Sequence, residues 1–326
     1  MFRPAVALTL ALGAFACLTG CLSKAAGINL PPNPPLTLAR AAKIYVANTG
    51  GTSILVFSAT ATGNVAPVAQ ISGSNTGLTP PIGIFYDSAH SALWVTTGAP
   101  SIEEFPASAS GNVAPTLTIS GSNTLLGSPE GIYVSANGTI EVADFVSGLL
   151  LFPSGSTGNA TPSAQIHGSN TDLGSSAWTW PDKSGNLWAL RGNSPTDAIV
   201  EFASSANGNV APTGVIANTD YARLWGMSRD RSDNLWLSDQ NLPGIIEYAA
   251  GATGSPTPMR TITGASTGIG NPEQVVVDSL GYIYVADATN NAVLVYAASA
   301  NGNVAPVQTI TGASTLLNEP IGIAVH

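Results

Sequence analysis

The stretch Gly63-Asn64-Val65-Ala66-Pro67 (GNVAP) decides the fold, because the chain repeats it, unchanged or with small changes, along most of its length. Neighbouring copies start 48, 47, 50, 46 and 48 residues apart. A period near 48 residues is typical of a propeller blade with four short strands, and it does not suit the shorter ankyrin or leucine-rich repeats. The repeat therefore predicts an all-β chain of six similar units. The six copies begin at Gly63, Gly111, Gly158, Gly208, Gly254 and Gly302.

Each repeat contains four apolar or β-branched runs, here called strands a to d in chain order. In the sixth repeat they are 272–278, 282–287, 292–296 and 306–311. Nearly continuous apolar runs are typical of strands that are covered on both faces, as in blades that pack on two neighbours. Strand d opens with a proline in every repeat. Because proline has no amide hydrogen to donate, this pattern predicts an outer edge strand.

One repeat is divided between the two ends of the chain. Residues 43–48 (KIYVAN) have the pattern of a strand b with no strand a before it, and residues 320–326 (PIGIAVH) that of a strand a with nothing after it. These fragments complete one blade if a ring closes by pairing them, whereas an open solenoid gives no reason for the division. The predicted fold is all-β: a six-bladed β-propeller over 43–326, with four antiparallel strands per blade and a closing blade split between the N- and C-terminal strands.

The blade pattern resembles the NHL-repeat class of propeller. The resemblance is carried by Pro-Ile-Gly-Ile at 81–84 and 320–323, by 278–287 (DSLGYIYVAD) and by 293–296 (VLVY). It extends over nearly all of 43–326, although most copies lack the arginine that usually stands near the start of strand c. Because NHL propellers include enzymes, protein-binding modules and RNA-binding modules, the resemblance implies a fold and a binding habit rather than one activity.

The charge composition argues against nucleic-acid binding. Only 9% of the 326 residues are charged, and the formal net charge is −9. A nucleic-acid-binding surface needs clustered lysine and arginine, whereas here ten basic residues are scattered among 19 acidic ones. We therefore expect no nucleic-acid partner, and we expect the propeller to be monomeric.

The N-terminus has the pattern of a secretion signal. Arg3 precedes an apolar run from Ala5 to Leu18, which is too short for a transmembrane helix of about 20 residues. The run ends in Leu18-Thr19-Gly20-Cys21, which resembles the lipobox of bacterial lipoproteins. The resemblance implies a signal peptide over 1–20 and a lipidated Cys21 as the mature N-terminus. The alternative is an ordinary signal peptide with a chance cysteine.

The same resemblance implies a location in the bacterial cell envelope, with the lipid anchor holding the protein on a membrane. The residue after the cysteine is Leu22 and not the aspartate that retains many lipoproteins at the inner membrane, which favours the outer membrane. Residues 21–42 include the prolines of 31–35 (PPNPP) and show no strand or helix periodicity. We interpret them as the lipidated residue and a stiff spacer.

Carboxylates recur where strands b end and strands a begin, which the repeat places around one end of the ring. Carboxylates that converge there can hold Ca²⁺, a hard cation that takes six to eight oxygen ligands. Such a site would make the chain a Ca²⁺-dependent enzyme resembling propeller lactonases or lyases. The competing interpretation is that these residues cap turns, as expected of a feature that recurs with the fold; the protein then needs no cofactor. The possible Ca²⁺ ligands are Glu130, Glu273, Glu319, Asp144 and Asp287.

Two adjacent repeats depart from the pattern. In the fourth, Ser176-Ala177-Trp178-Thr179-Trp180 replaces Pro-x-Gly at the start of strand a, and the fifth has Tyr221-Ala222-Arg223-Leu224-Trp225. Aromatic, arginine and amide side chains together suit a protein, peptide, glycan or carboxylate ligand; the alternative is that the indoles plug the channel. We interpret the chain as a binding module rather than an enzyme. The candidate ligand-binding residues are Trp178, Arg191, Tyr221, Arg223, Trp225, Asp239 and Gln240.

Overall fold

The structure is a computed structural model that describes residues 41–192, 197–217 and 223–326. The predicted signal peptide, Cys21, the spacer up to residue 40 and Tyr221 lie outside the described residues. The described chain is all-β apart from two short 3₁₀ turns at Ser122–Thr124 and Ala313–Thr315. Its six sheets form a ring of blades, so the predicted six-bladed β-propeller is confirmed.

The blades are numbered in the order of the repeats, and each is given from its innermost strand outward. Blade 1 contains β23 (Pro320–Val325), β1 (Lys43–Asn48), β2 (Ser53–Ser58) and β3 (Ala69–Ile71). Blade 2 contains β4 (Pro81–Asp87), β5 (Ala92–Thr97), β6 (Ser101–Pro106) and β7 (Leu117–Ser120). Blade 3 contains β8 (Pro129–Val134), β9 (Ile140–Asp144), β10 (Gly148–Phe152) and β11 (Ala164–Ile166).

The second half of the ring has the same order. Blade 4 contains β12 (Leu187–Arg191), β13 (Ala198–Phe202) and β14 (Gly214–Ala217). Blade 5 contains β15 (Leu224–Arg229), β16 (Leu235–Asp239), β17 (Gly244–Tyr248) and β18 (Arg260–Thr263). Blade 6 contains β19 (Pro272–Val277), β20 (Ile283–Asp287), β21 (Ala292–Tyr296) and β22 (Gln308–Thr311).

The ring closes in blade 1, where the C-terminal strand pairs with the N-terminal one. β23 lies antiparallel to β1, with Val46 opposite Ile323 and Ala47 opposite Gly322. The amide of Lys43 donates to the carbonyl of His326 at 3.0 Å, and the reverse bond measures 3.1 Å. The split closing blade predicted from the two ends of the repeat is therefore confirmed.

Blade 4 lacks a regular innermost strand. Residues 176–181 occupy its place, and the amide of Trp180 donates to the carbonyl of Trp188 at 3.0 Å. Only one antiparallel bridge forms there, between Thr179 and Ala189. The indole of Trp178 stands where blades 1, 2, 3 and 5 have glycine, and it packs so closely on Gly131 that a Cβ at Gly131 would lie 2.7 Å from the ring. The irregular strand and this bulky residue thus occur at the same place.

Innermost strands of neighbouring blades approach closely at glycine. A Cβ on Gly83 would lie 2.2 Å from the carbonyl oxygen of Glu130 in the next blade, a distance that no side chain tolerates. A hydroxyl from strand b bridges the same two strands: Thr96 Oγ1 accepts the Gly83 amide at 2.8 Å and donates to the Glu130 carbonyl. The glycine of the Pro-x-Gly pattern in blade 2 is thus required by the packing of that blade on blade 3.

The GNVAP turns hold each blade to the one before it. The amide of Gly111 donates to the carbonyl of Gln70 at 2.6 Å, and Asn112 Oδ1 accepts the amide of Asn75 at 2.8 Å. Gly63 and Asn64 make the same pair of bonds to blade 6, across the closure. The proline of each GNVAP copy lies two residues before the first residue of strand d. The prediction that strand d opens with proline was therefore wrong by two residues. The reason is that the first paired residue of the strand needs an amide hydrogen, which proline lacks.

The core consists of apolar clusters within blades and between adjacent ones. Trp94, Trp188 and Trp236 occupy the same position of strand b in three blades and are at most 8% exposed, as expected for core residues. In the described ranges, no helix is long and apolar enough to cross a membrane.

Removing residues 320–326 should open the ring. The deletion removes the inner strand of blade 1, including Ile323, which is fully buried. Because loss of one such side chain costs about 2–5 kcal/mol, we expect the melting temperature to fall by at least about 10 °C. Glu319→Gly is the matched control, since this exposed residue precedes the strand and has a φ of 53° that glycine adopts freely. A melting temperature within 2 °C of the unmodified protein after the deletion would contradict the closure.

Candidate functional site

The ends of strands b and the starts of strands a meet at one end of the ring, here called the axial face. The second residue of the innermost strand, or of segment 176–181 in blade 4, stands at the same register in every blade. Two of these residues are acidic, one is an indole and three are aliphatic. In blade order they are Ile321, Ile82, Glu130, Ala177, Trp225 and Glu273.

Two of the proposed Ca²⁺ ligands cap turns. Asp144 is fully buried, and its two carboxylate oxygens accept four amides: Oδ2 those of 127 and 128, Oδ1 those of 146 and 147. Asp287 is fully buried as well and accepts the amides of 270, 271 and 290. Each carboxylate therefore ties the loop before strand a to the loop after strand b, which is the turn-cap interpretation of these residues.

The three glutamates proposed as Ca²⁺ ligands do not form a ligand set with these two aspartates. Glu130 is held at 3.3 Å by the hydroxyl of Ser128, and Glu319 is exposed. Glu273 accepts the side-chain amides of Asn271 at 2.6 Å and Gln240 at 2.9 Å. No group of three or more His, Cys, Asp or Glu side chains that could hold a metal ion occurs in the part of the chain that the structure describes. The five residues proposed for Ca²⁺ thus lie on one face without forming a ligand set.

Burial changes the charge of these acids. Desolvation raises the pKa of Glu273 to about 8 and that of Glu130 to about 7. Glu273 is therefore mainly uncharged at pH 7, and Glu130 is about half ionised. Desolvation also raises the pKa of Asp239, although the amides of 241 and 242 that donate to its Oδ1 act in the opposite direction. The axial face consequently carries less negative charge than its composition implies.

Blade 5 does not follow the capping pattern of blades 3 and 6. Asp239 ends its strand b, but Oδ2 of this buried carboxylate has no hydrogen-bond partner among the described residues. The amide of Leu224, at a position that is proline in blades 3 and 6, donates to Oδ2 of Asp197 at 2.7 Å. Asp197 comes from blade 4, so a carboxylate from a neighbouring blade holds the start of β15. A pocket opens beside this contact.

The pocket opens on the axial face between blades 3, 4 and 5 and encloses about 290 Å³. Two aromatic rings, Phe145 of blade 3 and the half-buried Trp225 of blade 5, lie 6.4 Å apart between centroids. Exposed Arg223 and buried Asp197 supply charged groups. We call it the axial-face pocket; its walls include Phe145, Ala177, Asp197, Arg223, Leu224 and Trp225.

The residues predicted from the sequence to bind a ligand do not all lie in the pocket. Arg223 and Trp225 line the axial-face pocket. Trp178 is 1% exposed and packs in the core beneath the pocket, as the alternative of a plugging indole predicts. Arg191 is drawn to the half-exposed Asp172 by an ion pair of 2.6 Å between Nη1 and Oδ2.

Gln240 and Asp239 lie beside the pocket rather than in it. The amide of Gln240 donates to the carbonyl of Arg223 at 2.9 Å, and its side chain holds Glu273. Tyr221 lies outside the described residues, so its placement stays a prediction.

Sequence reasoning missed two pocket residues, Phe145 and Asp197. Phe145 is 37% exposed directly after the end of β9, and its position in the repeat corresponds to that of Gln240 in blade 5. A large apolar residue at a position that is polar in blade 5 was the available signal. Asp197 offers no comparable signal, because only the fold brings it to Leu224 of the next blade.

Comparisons with known proteins support the fold and leave the family open. No protein-family model matches the chain, and no curated protein matches it. Among solved structures, one titled as the crystal structure of a nidogen/laminin complex aligns with a TM-score of 0.62 at 17% identity, covering 87% of this chain and 97% of that one. The chain shares its β-propeller fold.

Two further solved structures agree. A protein of unknown function from Bacteroides caccae aligns with a TM-score of 0.63 at 8% identity, covering 88% of this chain and 99% of that one. The WD40 β-propeller domain of Doa1 aligns with a TM-score of 0.52 at 13% identity, covering 83% and 79%. At these identities the likeness concerns the fold alone.

Asp144→Ala should destabilise the protein by about 3 kcal/mol or more, because four loop amides lose their acceptor. Urea unfolding measures the loss. Glu104→Ala is the control; this partly exposed carboxylate accepts one threonine hydroxyl at 3.1 Å, and its loss should cost about 0.5 kcal/mol.

Millimolar Ca²⁺ should leave the melting temperatures of the unmodified protein and of Asp144→Ala unchanged. A Ca²⁺-induced rise in the unmodified protein that Asp144→Ala abolishes would make Asp144 a metal ligand.

The protein should lose stability as the pH rises from 5 to 9. Glu141 is 6% exposed, its Oε2 lacks a hydrogen-bond partner among the described residues, and burial raises its pKa to about 8. Because the folded pKa exceeds the unfolded value near 4.5, this stabilisation is complete below pH 4.5 and is lost as the pH passes through 8. Glu141→Gln should reduce the difference in unfolding free energy between pH 5 and pH 9 by up to about 4 kcal/mol. An unchanged pH profile would show that Glu141 ionises freely in the fold.

Proposed function

We propose that the protein is a lipid-anchored, extracytoplasmic binding module that recognises a protein, peptide or glycan ligand through the axial-face pocket. One observation carries the proposal: the pocket lies at the two adjacent blades whose inner strands depart from the repeat. Arg223 and Trp225 replace the residues that the repeat supplies elsewhere, and both line the pocket. A concave site with aromatic walls and a few charged groups is typical of ligand recognition.

The proposed cellular location rests on the sequence. The apolar run before Cys21 and the lipobox-like Leu18-Thr19-Gly20-Cys21 support a lipid anchor in a bacterial cell envelope, with the outer membrane favoured by Leu22. The strand pattern supports membership of the NHL-repeat type. The Pro-rich stretch at 31–35 suits a spacer that holds the propeller away from the membrane surface.

The Ca²⁺-dependent enzyme is the weaker candidate. It would need free carboxylate oxygens at Asp144 and Asp287, and backbone amides occupy those oxygens. The binding proposal requires no cofactor.

Photocrosslinking in bacterial cells that process lipoproteins tests the proposal. A photoreactive phenylalanine analogue at position 145, which is 37% exposed in the pocket, should give a defined adduct on irradiation. The same analogue at Leu280 is the matched control, because Leu280 is 38% exposed in a turn between strands a and b at the opposite end of the ring. Cys21→Ala in a third arm should move the protein, with its adduct, out of the membrane fraction.

Each arm has a result that counts against its part of the proposal. No adduct at 145, or equal adducts at 145 and 280, would contradict ligand binding at the pocket. A Cys21→Ala protein that sediments with membranes as fully as the unmodified chain would contradict the lipid anchor.

A further inference from the structure

The axial-face pocket contains one guanidinium, that of Arg223. Among the described residues no ion pair or hydrogen bond engages it, whereas Arg191, Arg229 and Arg260 each pair with a carboxylate. Its charge acts to lower the pKa of the nearby Asp197 and Glu273 carboxyl groups. Arg223 is exposed and lines the pocket. A planar, permanently charged group with five N–H donors is suited to hold a carboxylate through two parallel hydrogen bonds.

The other walls are mainly apolar. Ala177, Leu190 and Leu224 line it together with the two aromatic side chains, Phe145 and Trp225. The volume of about 290 Å³ limits the occupant to a small apolar or aromatic group with a short polar end. A ring packed against Phe145 and Trp225 would bury apolar surface and gain edge or stacking contacts.

Arg223 is the cation of the pocket lining, and burial weakens one of the negative charges near it. Glu273 is the nearby acid whose raised pKa, about 8, leaves it mainly uncharged at pH 7. Asp197 uses its Oδ2 on the Leu224 amide. Arg191 adds a second guanidinium close enough to affect the pKa of Asp197. The charged or titratable groups that face Arg223 and Glu273 are Asp197, Arg191, Asp239, Glu130, Asp287 and Glu319.

We propose that the axial-face pocket binds a carboxylate that carries an apolar or aromatic group, with Arg223 holding the carboxylate and Phe145 and Trp225 enclosing the apolar group. This rests on the proposed function, because it names the ligand class of the same pocket. The C-terminus of a peptide ending in an apolar residue and a free aryl or alkyl carboxylic acid present the same chemistry.

Titration calorimetry on the full chain in detergent micelles tests the carboxylate directly. The probes are N-acetyl-phenylalanine and N-acetyl-phenylalaninamide, which differ by one charged group. We expect the acid to bind at least tenfold more tightly than the amide. Acetyl-Ala-Ala-Ala-Phe with a free C-terminus distinguishes the sources: affinity at least threefold above that of the single residue indicates a peptide ligand, and equal affinity indicates a free acid.

Variants assign the contact to Arg223. Arg223→Ala should weaken binding of the acid at least tenfold and leave the weak binding of the amide unchanged, while Arg223→Lys should recover part of the loss. Arg231→Ala is the matched control, because Arg231 is equally an exposed arginine but lies in the turn between β15 and β16, away from the pocket. It should bind the acid as the unmodified protein does.

Raising the pH from 7 to 9 supplies a second readout. Glu273 ionises over this range and places a negative charge near Arg223, so binding of N-acetyl-phenylalanine should weaken several-fold. Glu273→Gln should remove most of that pH dependence while retaining the binding at pH 7.

The outcomes separate this inference from the proposed function. Equal affinity for acid and amide, or an Arg223→Ala protein that binds the acid normally, overturns the carboxylate assignment. If neither probe binds while the position-145 adduct forms in cells, the pocket binds a ligand of another class, such as a glycan, and only this inference fails. If the adduct also fails to form, the proposed function fails with it.

Discussion

The antiparallel pairing of β1 with β23 joins the two ends of the chain, and the remaining blades depend on it. A blade is covered by a neighbour on each face, so a ring that opened at one point would expose two apolar faces to water. The bonds between Lys43 and His326 and the packing of Ile323 prevent that opening. The GNVAP turns add a second connection at the outer rim, including the one from Gly63 and Asn64 across the closure.

Repetition also explains why most of the axial face is structural. In blades 3 and 6 a buried aspartate at the end of strand b gathers the amides of the loops on both sides. The oxygens of these carboxylates accept hydrogen bonds within the protein, which leaves few acceptor positions for a ligand. In blade 5 the equivalent Asp239 keeps one oxygen without a partner among the described residues, and Asp197 of blade 4 accepts the amide of Leu224. The pocket opens beside Asp197 and close to Asp239, where the turn caps of blades 3 and 6 are not repeated.

Burial separates the formal charge of the protein from the charge that a ligand would meet. The chain is acidic overall, yet desolvation keeps Glu273 mainly in its neutral form at neutral pH by raising its pKa, while exposed Arg223 retains its charge. An acidic protein can thus present an exposed guanidinium at its pocket, although the lining also includes the Asp197 carboxylate. In the composition every carboxylate counts as one negative charge, and for this reason the sequence favours a cation site on the axial face.

The repeat in the sequence determined the fold, the number of blades and the place of closure, because strand periodicity, turn residues and the split unit are local patterns that survive without coordinates. It also located the two exceptional blades and two residues of the pocket, Arg223 and Trp225. Only the tertiary structure decided that Trp178 is buried, that Asp144 caps turns and that Asp197 and Phe145 belong to the pocket. Those outcomes depend on contacts between different blades and on desolvation, and neither is a property of residues that are neighbours in the chain.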